Sequence, residues 1–157
     1  MIKFSLLELL IRGIPEGAIY MWACYLLSKT KFHLNRYLLS AALLIFTTTI
    51  VRSLPIILGI NTVLFLAIMI ITNININKIS IIKSISVSVS VIILESLCEL
   101  INMLMIKFMF KVDLTFVWSN PFLKTIYGIP SLVLFILSII IINAVLNKKK
   151  FFKKEII

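Results

Sequence analysis

The run Ile126–Leu146 contains no charged residue. At about 1.5 Å of rise per residue, a helix of that length reaches across the roughly 30 Å of a bilayer's hydrocarbon core. In lipid, backbone N–H and C=O groups must be satisfied within the protein, so such a run is confined to a helix. Four more stretches read the same way: about Phe4 to Leu27, Asn35 to Leu54, Ile56 or Ile60 to Thr72, and Ile82 to Ile106. The third is short and follows Gly59–Asn61, where a Gly-Ile-Asn sequence predicts a tight turn and a hairpin of spans two and three. The expectation is an all-α, polytopic transmembrane helical bundle of about five spans. It forms a single transmembrane domain over residues 1–147, followed by a basic tail over 148–157.

Composition agrees. The chain has 157 residues, 61% hydrophobic and 14% charged, too few polar residues to coat a soluble fold of this size. The formal charge of +10 would suggest nucleic acid in a soluble protein. Here the excess lies between and after the apolar runs, so topology and anionic lipid account for it and no nucleic-acid partner is expected. Lys29, Lys31, Arg36, Lys78, Lys83 and the tail lysines 148, 149, 150, 153 and 154 fall on one side of the alternating spans. Lys3, Lys107, Lys111 and Lys124 fall on the other. The positive-inside rule then places the N-terminus outside, the C-terminus inside and the protein in the cell membrane as a multi-pass chain. Lys3 alone is a weak leader, and no small-residue cleavage site follows span one, so that span is expected to be retained. The tail is expected to anchor on anionic lipid.

The connecting segments carry their own signals. Lys107–Thr125 mixes Phe, Leu and Trp118 with Lys111, Asp113 and Lys124. It is expected to lie in the outer headgroup plane, broken at Asn120-Pro121. Asn73–Asn77 is expected to form a cytoplasmic turn. Trp22 and Tyr25 are expected to anchor the inner end of span one at the interface.

Six charges sit inside the apolar runs: Glu8, Arg12, Glu16, Arg52, Glu95 and Glu99. Each costs roughly 2.5–3.5 kcal/mol at the centre of a spanning helix. They are therefore expected to face protein or a wet cavity. Glu8, Arg12 and Glu16 recur every fourth residue and share one helix face, as do Glu95 and Glu99. Ser84, Ser88 and Asn102 extend the second face. Counted from the span midpoints, Arg12 lies roughly 6 Å, Arg52 about 8 Å and Glu99 about 6 Å outward. Tyr127 and Lys124 fall at the outer end of span five. The candidate ligand-binding cluster is thus Arg12, Glu16, Arg52, Glu95, Glu99, Asn102 and Tyr127. Four carboxylates against two arginines leave it two negative charges in excess, which hydrocarbon does not tolerate. A proton, a bound cation, a cationic ligand group or Lys124 would supply the balance. The arginines would equally suit a carboxylate or phosphate held by two hydrogen bonds. Structural ion pairs that fix helix register explain the same residues without a ligand.

One short pattern recurs: Arg12-Gly13-Ile14-Pro15, Arg52-Ser53-Leu54-Pro55 and Tyr127-Gly128-Ile129-Pro130. Proline within a helix removes the donor to the carbonyl four residues earlier. Pro15, Pro55 and Pro130 are therefore candidate hinges that open a cavity. Close helix packing explains the same pattern without a hinge.

Leu10–Gly17 (Leu-Ile-Arg-Gly-Ile-Pro-Glu-Gly), Val51–Pro55 and Ser119–Ser131 resemble segments of small clostridial multi-spanning membrane proteins. Similar spans precede the kinase core of some Gram-positive sensor kinases of the accessory-gene-regulator type. This sequence departs from those kinases in carrying neither a dimerisation helix nor an ATPase domain after its spans. The resemblance implies a sensor-like module that needs a partner for output, and it transfers no catalytic residue.

Catalysis is not expected. His33 is the sole histidine. Cys24 lies near the same membrane face, but no third group would orient such a pair. Cys24, Cys98 and His33 are too few for a tetrahedral zinc site, and no glycine loop would cradle a phosphate. No cofactor or metal is implied. The leading expectation is a non-enzymatic sensing or interaction module acting through a membrane-protein or kinase partner, or as a homo-oligomer. The alternative is a small carrier or transporter subunit whose intramembrane Glu couples to a proton or cation.

Overall fold

The computed structural model describes residues 9–53, 58–108 and 121–155, with side chains given for 11–51, 60–108 and 122–148. The described residues are all-α. A π-helical turn, Leu9–Gly13, runs directly into α1 (Ile14–Ser28). It is followed by α2 (Leu34–Ser53), α3 (Leu58–Asn75), α4 (Ile81–Phe108) and α5 (Pro121–Glu155). Segments within α2, α4 and α5 are long and apolar enough to cross a membrane: Leu34–Val51, Ile81–Phe108 and Phe122–Lys148. A shorter apolar helix covers Ile60–Asn75. Their outer faces are apolar too. Phe46, Val63, Ile82 and Ile141 are all exposed, which suits lipid rather than water.

The order of packing is not a simple ring. α1 touches α2, α4 and α5, while α3 fills the space between α2 and α4. Packed in this way, α1 buries more than half of its residues, with Met21, Ala23 and Cys24 wholly enclosed, while Ala18, Ile19, Trp22 and Leu26 form a partly buried face. Phe135 and Ile139 of α5, Leu44 of α2, Met69 of α3 and Val91 of α4 complete the core. Tyr20 stacks edge-on against Phe135 at 5.7 Å and tilts against Phe65 at 5.4 Å. Gly17 allows α1 and α2 to approach closely: a Cβ there would lie 2.5 Å from Ile45 Cγ1.

Several hydroxyl residues in these apolar helices are satisfied within their own helix. Thr47, Thr48 and Thr49 donate back to the carbonyls of Leu43, Leu44 and Ile45, and Ser90 and Ser96 do the same in α4. Such back-bonding removes the cost of placing a hydroxyl in hydrocarbon.

Several boundaries differ from expectation. Gly59–Asn61 is helical rather than a turn, and the α2–α3 connection falls at residues 54–57, outside the described set. Asn73–Asn75 completes α3, so the expected turn is confined to Ile76–Asn77, where Asn77 packs inward. Tyr25 is buried rather than an interface anchor. α5 starts at Pro121, where a proline's missing N–H costs nothing, and its helix continues through the basic tail to Glu155. Most of the expected headgroup segment, residues 109–120, lies outside the described residues, as does Glu8.

Candidate functional site

Arg12 stands at the end of the π turn, next to α1. Its guanidinium donates to Glu99 of α4 and so joins two helices far apart in sequence. Its Nε lies 3.6 Å from Glu16 Oε2 one turn further along. The Tyr20 hydroxyl donates to the other oxygen of Glu16 at 3.0 Å. The four-residue register that gathers Arg12 and Glu16 thus continues to Tyr20. Arg12 and Glu16 side chains are nearly enclosed, at 12% and 5% exposure, whereas Glu99 keeps 44%. One carboxylate of the Arg12 pairing is therefore held inside the bundle, and the other stays at its rim.

The guanidinium needs room, and α5 supplies it. A Cβ on Gly128 would lie 2.9 Å from Arg12 Nη1 and 3.3 Å from Cζ. Gly128 belongs to the recurring Tyr-Gly-Ile-Pro motif, so here the small residue seats a charge as well as a backbone. Beside it, Asn102 Nδ2 donates to the Tyr127 carbonyl at 2.7 Å. This is the carbonyl following that of Ile126, which loses its helical donor at Pro130. Ser131 Oγ donates to the Gly128 carbonyl at 2.7 Å. The exposed turn of α5 around Pro130 is thereby tied down on its inner side.

A cavity of about 160 Å³ opens alongside. Glu16, Glu95 and Glu99 contribute its three carboxylates, and Thr48, Asn61 and Ser96 line it too. Tyr20, Phe65 and Ile92 form its apolar wall. No basic side chain lines it among the described residues. Glu95 is buried, at 5% exposure. The Asn61 amide oxygen is shielded from solvent and accepts no hydrogen bond from the described residues. The carboxylates are spread along the wall, and no group of acidic, Cys and His side chains able to hold a metal forms among the described residues.

The structure therefore brings Arg12, Glu16 and Glu99 into direct contact and adds Glu95 to the same cavity. Asn102 and Tyr127 sit beside this group and bond to one another rather than lining the cavity. Ser84, Ser88, Glu95 and Asn102 do lie on one buried face of α4. The backbone of Arg52 lies in the last turn of α2, but its side chain lies outside the described residues, and so does Pro55. Pro15 falls in the first turn of α1, immediately after the π turn, where it starts a regular helix instead of bending one. Pro130 is inside α5, which continues past it.

Sequence reasoning missed Tyr20, Asn61, Phe65 and Gly128. Tyr20 was legible in the register, four residues after Glu16. Gly128 stands out only as part of its motif, since nothing in one sequence says which charge packs on it. Asn61 and Phe65 carry no sequence signal beyond their four-residue spacing.

A second polar group lies at the other end of α1. Asn73 Nδ2 donates to Cys24 Sγ at 3.3 Å and to Ser88 Oγ at 3.2 Å. Asn77 Nδ2 donates to Asn73 Oδ1 at 2.9 Å, and the Tyr25 hydroxyl donates to Asn77 Oδ1 at 2.8 Å. Cys24 is thus enclosed in a hydrogen-bonded cluster, while His33 is exposed in the α1–α2 connection. The chain matches no family model, no curated protein and no solved structure.

Proposed function

We propose that this chain is a five-span membrane protein, N-terminus outside and C-terminus inside. In this reading it is a non-enzymatic sensing or interaction module that takes the cationic group of an external ligand. The observation that carries this is the cavity wall: three carboxylates and no described basic side chain. An ammonium group would meet complementary charge at Glu95 and Glu99 and an aromatic face at Tyr20. Arg12 acts here as the internal stand-in for that cation. A ligand that takes Glu99 or Glu16 from Arg12 frees the π turn and the Gly128 seat together, moving α1 against α4 and α5. Output then passes to a membrane-protein or kinase partner, or to a second copy. The resemblance to the spans of sensor kinases supports this class.

The carrier reading is favoured by one feature, the burial of Glu95 at the cavity wall, which suits a group loaded with a proton or cation during transport. Two measurements on the chain reconstituted in liposomes separate the readings, with tetramethylammonium and butylammonium as probes. A sensing module binds a probe saturably, Glu95→Gln weakens that binding about tenfold or more, and neither probe nor protons are carried across. Proton or amine flux that falls in Glu95→Gln establishes the carrier instead. Neither binding nor flux reduces the charges to internal architecture.

A further inference from the structure

A second pocket, of about 400 Å³, lies between α1 and α4 at the opposite end of the bundle from Arg12. Its size is within the roughly 300–1,000 Å³ of small-molecule sites. Its polar lining is Lys29, Lys83, Ser28 and Ser86, and its apolar lining is Leu27, Ile82 and Val87. No carboxylate lines it among the described residues. Lys83 makes no ion pair and no side-chain hydrogen bond with the described residues, and the Ser86 hydroxyl likewise has no partner among them.

The backbone prepares the other cation. α1 ends at Lys29 in the left-handed conformation, φ 52°, with its N–H turned back to the Leu26 carbonyl. Such a conformation is costly for a residue with a side chain and is normally filled by glycine. Here the lysine side chain reaches across to α5, where Nζ donates to Asn147 Oδ1 at 2.9 Å. An ammonium has three donors, and Asn147 takes one. Lys29 thus lines the pocket from the end of α1 while its ammonium is tied to α5. Ile82 stands exposed at the pocket rim, and Ile93 and Leu97, seven and eleven residues beyond Ser86 on the same helix face, continue an exposed apolar surface along α4.

We propose that this pocket is a binding site for an anionic phospholipid. The phosphate lies between Lys29 and Lys83 and accepts from Ser86, and an acyl chain runs down α4 over Ile93 and Leu97. Basic pockets between spanning helices at the lysine-rich face are the expected seats of such headgroups. The apolar continuation selects a lipid over a free phosphate, because a free anion gains nothing from Ile93 and Leu97. The site is distinct from the diffuse attraction of the tail lysines. The proposal rests on the reading that the chain spans a bilayer, which retention in carbonate-washed membranes checks independently.

The test is native mass spectrometry and equilibrium titration of the full chain in neutral detergent. Probes are dioleoylphosphatidylglycerol, dioleoylphosphatidylcholine and inorganic phosphate. One phosphatidylglycerol is expected to bind saturably, with phosphatidylcholine at least tenfold weaker and millimolar phosphate not displacing it. Lys83→Gln and Lys29→Gln should each weaken binding about fivefold. Lys83→Arg should keep it, and Lys153→Gln with Lys154→Gln should leave the single saturable site in place. Both pocket lysines are exposed, so unchanged thermal unfolding accompanies these effects. Equal binding of both lipids, loss of binding only with the tail lysines, or displacement by phosphate overturns the proposal.

Discussion

Two glycines mark where side-chain volume decides the structure. Gly128 leaves space for the Arg12 guanidinium, and a long, flexible arginine tolerates some crowding there. Gly17 is less forgiving, because its neighbour Ile45 is branched at Cβ and held stiffly on α2. Gly17→Ala is expected to cost about 1–3 kcal/mol, as overpacking does in other tight cores. Ile45→Ala in the same chain should recover part of that loss. Unfolding in mixed micelles measures both, and a Gly17→Ala chain as stable as the parent would show that α1 and α2 are not in contact there. Sequence spacing gave the inward direction of Arg12, Glu16 and Glu95, since charge is too costly against lipid. It did not give Glu99 as the partner of Arg12, because the pairing depends on how α1 lies against α4.

At the scale of elements, α1 is held at both ends by polar groups, Arg12 and Glu16 at one and Cys24 and Tyr25 at the other. The second set shows how a buried amide can fasten three helices. Asn77 accepts from Tyr25 of α1 and donates to Asn73 of α3, which in turn donates to Ser88 of α4. Asn77→Leu strands the Tyr25 hydroxyl and one lone-pair site of Asn73 in an enclosed space. The expected loss is about 1–3 kcal/mol, read as a lowered denaturant midpoint, with faster amide exchange at the α1 and α3 ends. An unchanged midpoint would show that water replaces the amide freely. The Asn/Ile alternation of residues 73–77 suggested a turn. Asn73 lies in the last turn of α3 and Asn77 in the turn just after it; both are buried and Asn77 donates to Asn73, so their polarity faces the protein.

For the whole molecule, the reading of five spans makes a topological prediction. Cysteines placed at Asp113, outside the described residues, and at Lys78 should react from opposite sides of the membrane with an impermeant maleimide. Asp113→Cys should label from outside and Lys78→Cys only after permeabilisation. Cys24 and Cys98 are buried and should stay silent. Cytoplasmic labelling at Asp113 would reverse the topology. The expectation rests on where lysines fall, which is a property of the chain and not of its packing. Both pockets lie at the ends of α1, one acidic and one basic, so a shift of α1 would alter both.

Hydrophobic run length and the near absence of charge within the runs determined an all-α chain with helices able to cross a bilayer, because hydrocarbon leaves the backbone no other way to bond. Four-residue spacing determined which charges share a face. Tertiary packing decided the rest. It packed α1 against α2, α4 and α5, gave Arg12 to Glu99, emptied the cavity wall of described basic side chains and brought Lys29 and Lys83 to a second pocket. Those outcomes depend on which helix lies beside which, and apolar faces that all suit lipid equally well carry no instruction about that order.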